Sequence, residues 1–519
     1  MTQTIPDSVT ASLADWLTTF GAIDANAAEL LVDRHDPVSV AFTTIDVTDK
    51  ALITTDITYG ELAEQSKRFA TALVGLGVQR GDTVGVLLGK RTELVVSLLA
   101  LARLGATYIP LFTAFATPAI EMRLTAGKAA VVITEPSQAD KLDGMDGLTV
   151  VVAGEQFDDL VASSEPIAES VAVGGYGALI MLFTSGTTGA PKGVPVPVRA
   201  LASMSCYMHY GLDVTADDVF WNAADPGWAY GLYYGIVGPL ATGRRNLLLH
   251  AGFSPEVTAK VLQDLGVTNF AAAPTVYRSL SKDPSFTGFS LRRASSAGEP
   301  LTPDVIDWAK QALGSEVRDH YGQTEHGMFI NNHWHPDVAE PLAPGSMGKP
   351  MPGFAAGIVD GQIAIEVDKS PLYWFPGYLD APEKTTSRYT EDGKWYLTGD
   401  TGRMDDDGRF YFTSRDDDII IMAGYRIGPF DVESVLITHP SVMDVAVVGR
   451  PDQLRGEVLE AFVVLADGVA GTDELEAELQ QLVKTGFAAH AYPRTVHFVD
   501  ALPKTPSGKI QRFILRQQD

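Results

Sequence analysis

Leu182-Phe183-Thr184-Ser185-Gly186-Thr187-Thr188-Gly189-Ala190-Pro191-Lys192-Gly193-Val194 puts hydroxyls, glycines and one lysine into a single turn. It follows an apolar run, Ala178 to Phe183, that reads as a buried strand. Glycine lets backbone N–H groups come close to a ligand. Such groups, with hydroxyls and a cation, make a cradle for phosphate. The plain alternative is a polar Gly-rich turn. A Walker A loop is excluded, because that motif has Gly-Lys-Ser/Thr opening a helix. Here Lys192 follows Pro191 and precedes Gly193.

The second string is Val317-Arg318-Asp319-His320-Tyr321-Gly322-Gln323-Thr324-Glu325-His326-Gly327. Tyr321 has a face to stack on a base, and Thr324 a hydroxyl for a phosphate oxygen. Glu325 offers the hard oxygen that Mg²⁺ takes alongside phosphate. His320 reads as a packing residue, and His326 has no assignable role.

Three weaker signals follow. In Ser295-Ser296-Ala297-Gly298-Glu299-Pro300-Leu301, small residues after a strand let a flat ring lie against backbone. A bland strand-to-helix turn is the alternative. Asp400 ends Trp395-Tyr396-Leu397-Thr398-Gly399-Asp400, where a carboxylate can accept both hydroxyls of a ribose or close an Asx turn. Lys509 lies in the Pro/Gly turn Pro503-Lys504-Thr505-Pro506-Ser507-Gly508-Lys509-Ile510, although lone lysines are usually solvated charge. No persuasive Ser–His or Cys–His set is present.

The elements that must hold these groups alternate. Helices are expected over Ser8–Leu31, Leu62–Leu76 and Glu93–Leu104, with strands at 83–88, 106–111, 131–134 and 148–152. That alternation indicates a mostly parallel, doubly wound sheet. Residues 156–175 are acidic and weakly patterned and read as a surface connection. A second alternating run extends from Arg199 to about Ala297. The stretch 344–353 breaks the alternation, and short strands after it suggest a small β subdomain. The last hundred residues read as a compact α+β unit.

The chain has 519 residues, more than one domain holds. Its hydrophobic share of 45% and charged share of 20% are those of a globular protein. A net charge of -26 opposes a nucleic-acid or anionic-membrane partner. The single cysteine, Cys206, excludes an intramolecular disulfide framework and suits a reducing compartment. The first fifteen residues lack a basic n-region, and the most apolar window, 94–115, is interrupted by Arg103 and Gly105. A cytoplasmic protein with no membrane insertion is expected.

In order, from about Ile57 to Arg512, these strings resemble those of the acyl-adenylate-forming (AMP-binding) superfamily, which includes acyl-CoA synthetases, firefly luciferases and adenylation domains of peptide synthetases. Leu111-Phe112-Thr113-Ala114-Phe115 also looks like medium-chain acyl-CoA synthetases. The resemblance implies an α/β fold. A large N-terminal domain, 1–415, would hold αβ subdomains at 1–175 and 176–335 and a β subdomain at 336–415. A hinge at 416–418 would join it to a small mobile α+β domain, 419–519. Asp417 aligns with the hinge, but Asp416 and Asp418 are equally placed to pivot.

The site roles are likewise what the resemblance implies. Thr184, Ser185, Gly186, Thr187, Thr188, Gly189 and Lys192 would hold phosphates. Gly298, Glu299 and Pro300 would form one side of an adenine slot. Asp319, His320, Tyr321, Gly322, Gln323 and Thr324 would complete the nucleotide site, with Glu325 as ligand to Mg²⁺. Asp400 and Arg415 would hold the ribose, with Arg426 nearby. Ala423 and Gly424 would face the pantetheine. Trp228, Ala229, Tyr230, Ala297 and Gly322 would border the acyl pocket. Lys509 would clamp carboxylate and α-phosphate, making it catalytic with Thr184 and Glu325.

The expected reaction joins a carboxylic acid to CoA with ATP, releasing AMP and pyrophosphate through an acyl-adenylate. Acetate-specific relatives carry Trp where Gly322 stands. Gly322 and Ala297 leave that end open and Tyr230 partly refills it, so short- to medium-chain or aryl acids are expected over acetate. Lys509 is an expected target of regulatory acetylation, and the protein a monomer or homodimer. The rivals are an adenylating enzyme with a non-CoA acceptor and a non-catalytic acyl-AMP binder.

Overall fold

Strands alternating with helices build two parallel-rich sheets, as the pattern predicts. The computed structural model describes residues 6–48, 51–184, 192–299, 301, 303–415, 418–422, 425–452, 456–488, 491–504 and 510–518.

Strands β1 (Val40–Val47) and β2 (Leu52–Thr58) come first. Then β3 (Thr83–Leu87), β4 (Thr107–Pro110), β5 (Val131–Thr134), β6 (Thr149–Val152), β7 (Ala178–Thr184) and β8 (Lys192–Pro197) form a six-stranded sheet in the order β6-β5-β3-β4-β7-β8. All its pairs are parallel except β7 with β8. Next, β9 (Phe220–Asn222), β10 (Asn246–His250), β11 (Asn269–Ala272), β12 (Arg293–Ala297), β13 (Val317–Gln323), β14 (Gly327–Asn331) and β15 (Lys349–Pro350) join β1 and β2 in a nine-stranded sheet.

Sheet membership therefore cuts across the expected division at residue 175. β1 runs parallel to β10, and β7 runs parallel to β4. Strand pairing over long sequence distances, which local pattern does not encode, decides this.

Helix Thr92–Leu104 explains the apolar window. It is buried on every face from Leu94 onward, and the charge at its C-terminal end, Arg103, has no exposed side-chain surface. The guanidinium donates to both Asp33 oxygens at 2.8 Å and to Ser66 Oγ at 2.9 Å. A buried charge needs such partners, since removing one leaves the other uncompensated. Among the described residues no helix is long and apolar enough to cross a membrane. Helix Tyr59–Gly75 starts from a capping box, in which Thr58 Oγ1 accepts from Glu61 N and Thr58 N donates to Glu61 Oε2. Cys206 is buried, and burial pushes its thiol pKa up, as for a small core hydrophobe.

The expected surface connection 156–175 is corrected at its start. A helix, Glu155–Ser163, forms there because Phe157 is buried with its ring 4.2 Å from that of Phe69. One apolar anchor in an acidic stretch was enough.

By packing, the chain divides into two compact units. One is Met1–Leu301, Val305–Ala355 and Glu366–Tyr389; the other is Thr302–Asp304, Ala356–Ile365 and Thr390–Asp519. In the second, β16 (Ala356–Val359), β17 (Gln362–Glu366), β18 (Trp395–Met404) and β19 (Phe410–Arg415) form a four-stranded sheet. A second sheet holds β20 (Ile420–Met422), β21 (Tyr425–Ile427), β22 (Val442–Asp452), β23 (Gly456–Leu465) and β24 (Thr495–Phe498). Helix Pro429–Leu436 carries Phe430, whose ring meets Phe412 of β19 edge-on at 6.2 Å. The small β sheet and the C-terminal residues thus fall in one packing unit, within which the expected hinge at 416–418 lies.

Candidate active site

Thr184 ends β7 and Lys192 begins β8, and the two face each other across the antiparallel pair. The residues between them, Ser185, Gly186, Thr187, Thr188 and Gly189 among them, lie outside the described residues, as do Pro300, Asp417, Ala423, Gly424, Lys509 and the side chain of Arg426. Lys192 Nζ sits 5.0 Å from the centroid of the Tyr378 ring. Leu379 N donates to Gly193 O at 2.8 Å, tying the segment that carries Tyr378 to β8.

Glu325 lies in the turn between β13 and β14, flanked by Thr324 and His326. It is 7% exposed, and its Oε1 accepts from the Tyr378 hydroxyl at 2.7 Å. Arg388 Nε donates to the same hydroxyl at 3.2 Å. Burial, then the Glu325 charge, pushes the Tyr378 hydroxyl above its usual pKa, so it stays a donor. Tyr233 donates to Thr324 O at 2.9 Å and braces the turn.

Mg²⁺ needs only one or two carboxylates when phosphates supply other oxygens. Glu325 fits that need, because its second oxygen has no protein donor among the described residues. No cluster of three ligating side chains occurs among those residues.

Tyr321, Gly322, Gln323 and Thr324 are half-buried and remain accessible. Asp319 receives Leu301 N at 3.4 Å, and burial raises its carboxyl to about 8. His320 faces inward. Its Nε2 donates to Asn332 O at 3.1 Å, so Nδ1 accepts the Tyr207 hydroxyl at 2.6 Å. Burial lowers its pKa to about 3, so the ring is neutral and occupied within the fold. The packing reading of His320 is the one observed, and its side chain is not placed to hold a nucleotide. His326 is also buried and lowered to about 3.

Of the residues expected to border an acyl pocket, Trp228 is placed against Gly298, and the reading of Gly322 is corrected. Gly298 adopts φ +106, and a Cβ there would meet the Trp228 ring edge at 3.5 Å, so the indole lies along that backbone. Ala297 is fully buried. Tyr230 is 1% exposed, with its hydroxyl 3.2 Å from that of Tyr207. Tyr230, Tyr207 and His320 thus form a buried, hydrogen-bonded aromatic row. Gly322 has its own reason to be glycine: a Cβ would collide with Gly327 O and come within 2.6 Å of Met328 Cα. Its missing side chain is a demand of the hairpin's close approach, not evidence of an open pocket. Glu299 is engaged by Arg278 at 2.8 Å.

In the second unit, Asp400 and Arg415 are register partners on β18 and β19, with Arg415 Nε 3.9 Å from Asp400 Oδ1. Asp400 is 7% exposed and sits within a strand, which excludes the Asx-turn alternative. Lys504 bridges Ile510, and Gln511 N donates to Pro503 O at 2.8 Å. The residues on both sides of the interval that contains Lys509 are therefore joined. Ile510 packs on a cluster of Ala446, Val448, Phe462, Leu502 and Leu515.

Sequence reasoning missed Tyr378, Arg388 and Tyr207. The signal for Tyr378 was the aromatic run Tyr373-Trp374-Phe375-Pro376-Gly377-Tyr378, too dense for an ordinary loop.

Residues 40–367 match the family described as AMP-binding enzyme, and residues 431–509 its C-terminal domain. The acetyl-coenzyme A synthetase of Bacillus subtilis (strain 168) is 36% identical over 492 residues, covering 88% of this chain and 84% of that protein. A mitochondrial acyl-coenzyme A synthetase of Mus musculus is 36% identical over 505 residues, covering 89% and 84%. The crystal structure of an acyl-CoA synthetase from Brucella canis superposes with a TM-score of 0.75 at 42% identity, over 98% of each chain. The chain belongs to the AMP-binding enzyme family, on its acyl-CoA synthetase branch.

Proposed function

We infer that the protein is an ATP-dependent carboxylic acid–CoA ligase that forms acyl-CoA, AMP and pyrophosphate through an acyl-adenylate. The observation that carries this reading is the linkage of Thr184 and Lys192, at the base of the glycine-rich hairpin, to Glu325 through Tyr378. It supports a reading in which Lys192 and the Glu325 carboxylate serve one phosphate site, since both meet Tyr378.

In the first half-reaction a carboxylate oxygen attacks the α-phosphorus, and the bond to pyrophosphate breaks with its electron pair. Both reactants are anionic, so positioning and charge neutralisation supply most of the acceleration. Lys192 and the Thr184 hydroxyl hold the phosphate tail. Lys509 clamps the carboxylate against the α-phosphate. Asp400 and Arg415 fix the ribose. Glu325 would hold Mg²⁺, which would supply charge neutralisation for the phosphates when bound. In the second half-reaction the CoA sulfur forms a bond to the acyl carbon as its proton leaves to solvent, and the bond to AMP breaks.

Lys509 and an incoming thiol cannot share one mouth. The residues 419–519 therefore turn about the hinge at 416–418 between the halves, bringing Ala423 and Gly424 to the pantetheine. The acid is a short- to medium-chain aliphatic or an aryl acid. Its length is limited by Tyr230 rather than released by Gly322.

Acid-dependent exchange of labelled pyrophosphate into ATP, with and without CoA, tests the reading. The expected result is exchange that needs the acid, with AMP release on adding CoA. Exchange without CoA-dependent AMP release would point to another acceptor. No exchange with any acid of a broad panel would leave a binding protein and overturn the reading.

A further inference from the structure

Tyr378 belongs to none of the strings that announce nucleotide chemistry, yet three charged groups converge on it. Arg388 Nε can only donate, so at 3.2 Å the Tyr378 oxygen must be its acceptor. The single hydroxyl hydrogen is then directed at Glu325 Oε1, 2.7 Å away. The direction Arg388 to Tyr378 to Glu325 is fixed by chemistry alone. The ring face of the same tyrosine carries Lys192 Nζ at 5.0 Å, within the range of a cation–π contact.

The backbone around Tyr378 is held on both sides. Tyr378 N donates to Thr385 Oγ1 at 2.9 Å, and Leu379 N donates to Gly193 O at 2.8 Å. Gly377, at φ +117, lies against Thr385. The tyrosine is thus fastened both to the strand that leaves the phosphate hairpin and to the helix Pro382–Thr386.

We propose that Tyr378 is a positioning residue for nucleotide binding, its hydroxyl orienting the Glu325 carboxylate and its ring seating the Lys192 ammonium, with Arg388 fixing the hydroxyl's direction. The proposal rests on the ligase reading for the roles of Glu325 and Lys192. A second partner that orients a ligating carboxylate leaves the remaining oxygen aimed at the cation. Loss of such a partner typically weakens metal affinity by about 10–100-fold.

The test is equilibrium binding of a non-hydrolysable α,β-methylene ATP analogue to the full chain, followed calorimetrically across a Mg²⁺ titration. Tyr378→Phe keeps the ring and removes the hydroxyl. It should raise the Mg²⁺ concentration for half-maximal analogue binding about tenfold, while the KM for the acid stays within about twofold. Arg388→Lys keeps the charge but loses the Nε geometry, and it should shift the same requirement in the same direction by less. A merely structural role would lower the melting temperature without moving the Mg²⁺ requirement. An unchanged requirement in folded Tyr378→Phe overturns the proposal. If that variant does not fold, an unchanged requirement in Arg388→Lys overturns it instead. Failure of the parent protein to catalyse acid-dependent pyrophosphate exchange is a separate result, which removes the ligase reading and not the Arg388–Tyr378–Glu325 geometry.

Discussion

Arg512 and Glu433 are locked together: Nη2 donates to Oε1 at 2.7 Å and to Oε2 at 2.8 Å. Arg512 also reaches Val447 O through Nε at 3.2 Å and Asp418 through Nη1 at 3.4 Å, and Arg516 donates to Asp418 at 2.8 Å. The segment just after Lys509 is therefore fastened to helix Pro429–Leu436 and to Asp418 beside the proposed hinge. Asp418 is committed to this cluster through both arginines.

Removing one partner of so buried a pair should be costly. Arg512→Ala is expected to lose about 3–5 kcal/mol, because Glu433 keeps an uncompensated charge. Replacing both partners, as Arg512→Met with Glu433→Leu, should restore most of that loss. Urea denaturation of the single and double variants measures it. A double variant as unstable as Arg512→Ala would show that packing, not the stranded carboxylate, dominates.

Lys509→Ala separates the half-reactions. Removing a group that stabilises charge in the transition state costs on the order of 100–1,000-fold. Adenylate formation, read by pyrophosphate exchange, should fall by that factor or more. Thioester formation from supplied acyl-AMP and CoA should stay within about threefold. Equal loss in both assays would dispose of the domain swing.

What could be read from the chain alone follows a physical line. Thr184 and Lys192 were legible because Gly and Pro bracket a turn that must return on itself. Asp400 stood out in sequence as an expected ribose ligand, but its pairing with Arg415 is a strand register fifteen residues away, and register is a tertiary outcome. Tyr378 carried no polar neighbours to mark it; its role arises from Glu325, 53 residues earlier in the chain. Gly322 misled, because glycine serves both an open space and a close backbone approach, and only coordinates separate the two. Sheet membership was hidden for the same reason: β1 pairs with β10, some two hundred residues on.

Tyr230 should set substrate length. In the proposed site it stands at the acyl end; its hydroxyl meets that of Tyr207, which in turn holds His320. Tyr230→Ala removes that ring, and each methylene then buried contributes about 0.8 kcal/mol. The best substrate in a straight-chain acid panel should lengthen by about two to three carbons, with activity on acetate reduced. The fold should lose about 3 kcal/mol from the cavity. An unchanged chain-length profile in the folded variant would show that the acid lies elsewhere.

Stability should depend on pH through Glu135, which is 5% exposed. Burial raises its pKa, but hydrogen bonds from His250, Ser137 and Gly89 N more than offset this and hold it at about 2. His250 stands between two carboxylates, 3.4 Å from Glu135 Oε2 and 3.3 Å from Asp46 Oδ1. Both its nitrogens face acceptors, so its own pKa is raised, by Glu135 first and against the opposing charge of Arg91. The lowered Glu135 value contributes stability that is present above its ordinary pKa of 4.5 and is lost as pH falls toward 2. The raised His250 value works oppositely, with stability present below 6.5 and lost as pH rises through the folded value. Glu135→Gln removes both. It should cost about 3 kcal/mol at pH 6 and less at pH 3, where the Glu135 contribution is falling away. Urea melts at those two pH values check the order, and a penalty independent of pH would mean that shape rather than charge holds Glu135 in place.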